Sequence, residues 1–342
     1  MVLVKDVFSE GPLPVQILAI PQANSSPCSK LADKNGTATT PSPCRPPKPL
    51  LIALPSQHGD YPLILFFHGY VLLNSFYSQL LRHVASHGYI AIAPQMYSVI
   101  GPNTTPEIAD AAAITDWLRD GLSDNLPQAL NNHVRPNFEK FVLAGHSRGG
   151  KVAFALALGR VSQPSLKYSA LVGLDPVDGM GKDQQTSHPI LSYREHSFDL
   201  GMPTLVVGSG LGPCKRNPLF PPCAPQGVNH HDFFYECVAP AYHFVASDYG
   251  HLDFLDDDTK GIRGKATYCL CKNGEAREPM RKFSGGIVVA FLQAFLGDNR
   301  GALNDIMVYP SHAPVKIEPP ESLVTEDVKS PEVELLRRAV CR

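Results

Sequence analysis

Hydrophobic positions fall into two alternating spacings along the chain. Residues 13–20 (LPVQILAI) and 49–54 (PLLIAL) alternate or run apolar as strands do. PLILFFH (62–68) is a continuous apolar run ending in His-Gly, the pattern of a strand buried on both faces. YIAIAPQ (89–95), KFVLAGHS (140–147), SALVGLDP (169–176), PTLVVGSG (203–210) and YHFVAS (242–247) read the same way. Between these runs the period lengthens. Residues 75–87 predict a helix with Phe76, Leu80, Leu81 and Val84 on one face and Gly88 closing it. A second helix, 106–120, opens at Thr105-Pro106 and carries Ile108, Ala112, Ile114 and Trp117. Residues 151–159 and 284–296 complete the helical set.

Strands alternating with helices predict an α/β fold, a mostly parallel central sheet with helices on both faces. Three stretches fall outside the pattern. Residues 21–48, rich in Pro, Ser, Thr, Asn and Lys, predict a mobile loop insertion. Residues 211–242 predict an irregular excursion, and 311–342 a flexible tail in which Ser330-Pro331-Glu332 caps a short helix. The expected organisation is one α/β domain over 1–310.

Composition narrows the class. With 44% hydrophobic and 18% charged residues in 342, there is ample material for a core, which excludes a disordered or fibrous chain. Thirty basic residues against 32 acidic ones give a net charge of −2, without the basic excess that a nucleic-acid partner requires. The start, MVLVKDVFSEGPLPVQ, lacks the basic and apolar regions of a secretory signal and the Arg and Ser of a transit peptide. No apolar run approaches the ~18 residues of a spanning helix, so a soluble intracellular chain is expected, with peripheral contact to a membrane left open. N-x-[ST] matches at Asn24, Asn35 and Asn103 read as chance. Eight cysteines are too sparse for a disulfide scaffold, although Cys214, Cys223 and Cys237 cluster and pair if the compartment oxidises.

The chemistry centres on Gly145-His146-Ser147-Arg148-Gly149-Gly150. It contains G-x-S-x-G between a predicted strand and a predicted helix, the setting of a nucleophile elbow. The turn strains Ser147, while Gly145 and Gly149 lack side chains so that backbone segments can approach. A serine needs a base and an acid behind it, here in the order Ser…Asp/Glu…His. His251, in Gly250-His251-Leu252-Asp253, follows the last predicted strand and is the expected base. His68 fits an oxyanion loop better, His146 packs within the elbow, and His230 and His231 come too early. The loop after 203–210 offers no carboxylate and Asp232 comes too late. The expected acid is therefore Asp175 at the end of 169–174, with Asp178 as its alternative and Asp253 as a cap of the histidine loop.

Backbone N–H groups of Arg148 and of Tyr70, in His68-Gly69-Tyr70, are the expected oxyanion donors. Val71, Leu72, Leu73, Phe76 and Tyr77 are pocket candidates, with core packing of the first helix as the equal alternative. No metal site is expected. Cys269-Leu270-Cys271 lacks zinc spacing, and in His230-His231-Asp232 neighbouring histidines of a strand would face opposite ways.

GHSRGG (145–150), with FFHGY (66–70), LDPVDG (174–179), SDYGHLDFLDD (247–257) and the PPC-rich segment near 220, resembles plant chlorophyllases over roughly 1–310. Arg148 is the informative position, since generic lipases and esterases carry other residues there. The resemblance implies an α/β-hydrolase that cleaves the phytyl ester of chlorophyll to chlorophyllide and phytol. It also implies Ser147, Asp175 and His251 as the catalytic set, no cofactor, and a chloroplast location. The alternatives are another lipid or cutin-like esterase with the same three residues, or a hydrolase-fold ligand receptor; a pigment-binding protein is a further one.

Overall fold

The computed structural model describes residues 7–23, 44–97 and 101–324. Most of the expected 21–48 insertion, and the Ser330 cap, lie outside the described residues. Among the described residues nine strands form one sheet: β1 (Val15–Ile20), β2 (Leu50–Pro55), β3 (Gly59–Phe67), β4 (Ile90–Pro94), β5 (Val134–His146), β6 (Ala170–Leu174), β7 (Thr204–Ser209), β8 (Ala241–Ala246) and β9 (Glu321–Leu323). Their order is β1-β2-β4-β3-β5-β6-β7-β8-β9. The stretch from β4 to β8 is parallel, whereas β1, β2 and β9 pair antiparallel at the two sides.

Successive residues of the central strands feed opposite cores, as the two-residue period of a strand requires. Ile64, Phe66, Val142, Ala144, Val172 and Leu174 face one core, which also holds α1 (Ser78–Ser86) and two later helices, α6 (Arg277–Leu296) and α7 (Gly301–Val308). Leu63, Leu65, Phe67, Phe141, Leu143 and Leu171 face the other, with α2 (Thr105–Asn125), α3 (Arg148–Ala157) and α4 (His230–Glu236). Between them in sequence lies the short α5 (Gly261–Ala266). Because β3 and β4 lie to one side and β5 to β8 to the other, the chain reverses direction across the sheet beside β3. Ligands of open α/β sheets bind at the carboxyl ends of strands at such a point.

Two expectations are corrected. The stretch 211–242 is not irregular throughout: α4 starts with a capping box in which Asn229 and Asp232 exchange side-chain and backbone hydrogen bonds. Nor is 311–324 a loose tail. Ala246 bridges to Ile317, Val315 is buried, and β9 pairs with β8. Pro319-Pro320 hid this strand from the pattern, although prolines are tolerated beside an edge strand.

His83 on α1 packs into the space left by Gly285 on α6, where an added Cβ would meet its ring at 2.6 Å, and its Nε2 donates to the Val7 carbonyl at 2.8 Å. Burial pushes His83 down to about 4. Its folded value lies below the ordinary 6.5, so its contribution to stability is full above pH 6.5 and is lost as pH falls toward 4. His83→Gln keeps a donor for Val7 but cannot titrate. Denaturant titrations of the variant between pH 6.5 and 4 are expected to show a dependence on pH shallower by about 1.4 kcal/mol per unit. Parallel curves for the two proteins would refute the assignment.

Candidate active site

The carboxyl ends of five strands, β3 and β5 to β8, build the site. After β5 the backbone turns through Ser147 at φ 56° and enters α3 at Arg148. A Cβ on Gly145 would come within 2.2 Å of the Gly149 carbonyl oxygen, and one on Gly149 within 2.1 Å of the Phe67 carbonyl oxygen. Both glycines are therefore required by the contact between the turn, its own helix and β3. The Ser147 carbonyl accepts from Lys151 and Val177, and its N–H donates to Leu174, which ties the turn to β6.

Asp175 follows β6, also at positive φ (42°), and is fully buried. Its Oδ2 lies 2.8 Å from His251 Nδ1, and His251 Nε2 lies 2.8 Å from Ser147 Oγ. A carboxylate can only accept, so His251 carries its proton on Nδ1 and its Nε2 accepts from the serine hydroxyl. Ser209, at the end of β7, donates through its hydroxyl to the same Oδ2. Burial alone would raise the Asp175 pKa, but hydrogen bonds and charge from His251, together with His230 and Ser209, hold it down to about 2. The carboxylate is thus ionised across the working range.

The loop carrying His251 is held by Asp253, whose Oδ2 accepts from Gly250 and Gly274 N–H, each at 2.7 Å. A second linkage runs beneath the site. Gly69 N–H donates to Tyr77 Oη (3.0 Å), Tyr77 donates to His146 Nδ1 (2.8 Å), and His146 Nε2–H donates to the His251 carbonyl (2.8 Å). Burial pushes His146 down to about 3, so it remains neutral and can both accept and donate. The loop after β3 is held from the other side by His68, which accepts from Met96 N–H (3.0 Å) and donates to the Gly69 carbonyl (2.9 Å). In this loop the β-branched Val71 sits at φ 53°, an unfavourable value for its type.

Ser147 and His251 lie in a cleft of about 310 Å³ walled by Val71, Leu72, Phe220, Pro221, Leu252 and Leu270. Of the pocket candidates, Val71 and Leu72 line this cleft together with Tyr70, while Leu73, Phe76 and Tyr77 do not. Phe76 and Tyr77 are core residues, Tyr77 fully buried in the linkage just described. The far wall comes from the 211–242 segment and from α5, whose contribution no motif announced. Cys223 and Cys271, both in the wall, are disulfide-bonded across 48 residues, whereas Cys214 and Cys237 are free thiols, so the expected pairing within 211–242 is corrected.

The Arg148 side chain does not line the cleft. Its Nε donates to Glu107 Oε1 (2.8 Å) and its other nitrogens to the Pro102 and Asn103 carbonyls, with the guanidinium 5.3 Å from the centre of the Tyr70 ring. Burial outweighs this arginine and raises the Glu107 pKa. Arg148 thereby ties the start of α2 to the ring of Tyr70. Asp178, the alternative acid, points elsewhere: it accepts from Ile190 and Leu191 N–H (3.0 Å each) and from Gln185, and faces Lys151 Nζ at 2.7 Å. His230 and His231 begin a helix rather than a strand, and their rings lie together, 4.1 Å between centres, beside His243.

The sequence model of the Chlorophyllase family matches residues 3–324. The chain is 57% identical over 299 residues to Chlorophyllase-2 of Arabidopsis thaliana, covering 86% of this chain and 91% of that protein. It is 47% identical to Arabidopsis Chlorophyllase-1, covering 81% of this chain and 85% of that one. To Chlorophyllase-1, chloroplastic, of Citrus unshiu it is 42% identical, with 82% of each covered.

Asp175 and Asp178 are separable by experiment. Asp175→Asn should lower ester turnover about 10⁴-fold while leaving the fold intact, because the imidazole loses its orienting acceptor. Asp178→Asn leaves Lys151 buried without its counter-charge and should cost about 3–5 kcal/mol of stability, with residual activity following the folded fraction. Equal losses of turnover in two equally stable variants would contradict this division.

Proposed function

The chain belongs to the chlorophyllase family, and we propose on that premise that it hydrolyses the phytyl ester of chlorophyll to chlorophyllide and phytol. The observation that carries the reading is the hydrogen-bonded series Ser147–His251–Asp175 at the floor of an apolar cleft. In the proposed sequence Ser147 Oγ attacks the ester carbonyl while His251 Nε2 takes its proton. Asp175, ionised and fixed by Ser209, stabilises the imidazolium that forms. The oxyanion is received by the N–H groups of Arg148, at the start of α3, and of Tyr70, in the loop after β3. Gly69, with its N–H engaged by Tyr77, is not assigned that role. His251 returns the proton to the departing phytol, and water then releases chlorophyllide from Ser147.

The cleft suits a flat macrocycle and an isoprenoid chain, since its walls are aliphatic and aromatic. An ester substrate of this kind lies in a membrane, and the rim supports a peripheral contact there. Leu219 and Ile262, each 89% exposed, neighbour the cleft-lining Phe220 and Arg263 in sequence, with Lys215, Lys260 and Lys265 on the same segments. No described helix is long and apolar enough to cross a membrane. A chloroplast location for this chain rests on its likeness to the Citrus relative named chloroplastic.

Ser147→Ala should reduce chlorophyllide formation to trace levels. With the unaltered protein, added methanol should yield methyl chlorophyllide, because an acyl-enzyme partitions between water and other nucleophiles. Hydrolysis without any transfer product at high methanol would argue against the covalent route. For the rim, the double variant Leu219→Ser, Ile262→Ser should sediment less with anionic phospholipid vesicles while still hydrolysing detergent-solubilised chlorophyll. Unchanged sedimentation would remove these residues from the contact.

A further inference from the structure

A cluster of three histidines lies behind Asp175, on the side away from His251. His230 begins α4, His231 follows it, and His243 stands on β8. One nitrogen from each ring lies within 4.8 Å of the other two, and His230 Nδ1 is 2.9 Å from His243 Nε2. The backbone is shaped for this approach: a Cβ on Gly208 would fall 2.2 Å from His230 Nδ1, so β7 carries glycine where the ring passes.

The outer nitrogens of the two buried rings both face carboxylates. His243 Nδ1 is 2.7 Å from Glu321 Oε2 on β9, and His230 Nε2 is 3.9 Å from Asp175 Oδ1. If each ring directs its N–H toward its carboxylate, two bare lone pairs meet at 2.9 Å. If His230 instead donates to His243, a lone pair is left facing the Asp175 charge. A cation bound between the two rings would let both of them direct an N–H to their carboxylates. Histidine ligands of metal ions characteristically direct the second ring nitrogen to a carboxylate, which sets the tautomer and raises ligand basicity. Nitrogen–metal bonds of about 2.0–2.1 Å at tetrahedral or right angles place two donors about 2.9–3.4 Å apart, and His230 Nδ1 and His243 Nε2 stand at 2.9 Å.

We propose that His230, His231 and His243 form a binding site for a divalent transition-metal ion of the zinc class, with Asp175 and Glu321 as the carboxylates that orient the two buried ligands. His231, on the exposed side, supplies the third nitrogen and leaves an open coordination position toward solvent. Imidazole donors in this number suit Zn²⁺ or Co²⁺ over Mg²⁺ or Ca²⁺, which take oxygen ligands. The site joins α4 to β8 and ends at the same carboxylate that holds His251.

The test is calorimetric titration of the full-length, tag-free protein with Zn²⁺, and Co²⁺ titration followed by its visible absorption. Saturable, stoichiometric Zn²⁺ binding is expected, with no response to Mg²⁺. His231→Ala, at an exposed position, should weaken it at least ~10-fold without altering basal ester hydrolysis, and Glu321→Gln should weaken it about 10- to 100-fold. Ser147→Ala should bind Zn²⁺ as the unaltered protein does, which separates this site from the hydrolytic reading. No Zn²⁺ binding, or isotherms identical in the unaltered protein and His231→Ala, would overturn the proposal and assign any bound metal to the free thiols or to His251.

Discussion

Asp175 has no contact with solvent, yet it is held ionised. A carboxylate in that position keeps its charge only because donors converge on it from separate elements: His251 from beyond β8 and the Ser209 hydroxyl from the end of β7. The arrangement of the sheet follows from this requirement. Strands β5 to β8 must lie side by side and parallel so that their carboxyl ends deliver Ser147, Asp175, Ser209 and His251 to one place. Without the ends of β7 and β8, the buried charge of Asp175 would lose its donors, which costs far more than the packing of a single side chain.

The serine side of the site is governed by close approach rather than charge. Ser147, Val71 and Asp175 all occupy positive φ, and they belong to the three segments that meet around the reacting position. Conformations of this type persist only where the surroundings over-determine them. Here the surroundings are the Gly145 and Gly149 contacts, the His68 bonds to Met96 and Gly69, and the Tyr77–His146 linkage. That linkage joins the loop after β3 to the loop carrying His251, so the oxyanion side and the base side share one set of neutral hydrogen bonds.

Much of this was legible in the amino-acid order, because a buried parallel strand is a continuous apolar run and a nucleophile elbow must be glycine-flanked. The runs ending at His68, His146, Leu174 and Ser209 appeared where the strands are, and the ordered Ser147, Asp175 and His251 could be named from them. What stayed hidden depends on contacts distant in sequence. Tyr77 has the spacing of a helix face and gives no sign that its hydroxyl bridges Gly69 and His146. Cys223 pairs with Cys271 rather than with its neighbours in 211–242, because the fold brings the stretch after α5 directly against that segment in one wall. Arg148, the position that carried the family resemblance, turns its side chain to Glu107 and the ring of Tyr70 rather than to the cleft. His230 and His231 fall in the stretch read as irregular, because the helix that contains them is only seven residues long.

The short antiparallel strand β9 has a consequence of its own. Without it, β8 would present an open row of backbone donors and acceptors at the end of a strongly apolar sheet, the template on which chains join edge to edge into aggregates. With only three residues, a charged Glu321 and two prolines before it, β9 satisfies that row and offers a poor template in its place. The same glutamate that blunts the edge also orients His243, so the segment guarding colloidal solubility is continuous with the polar network behind Asp175.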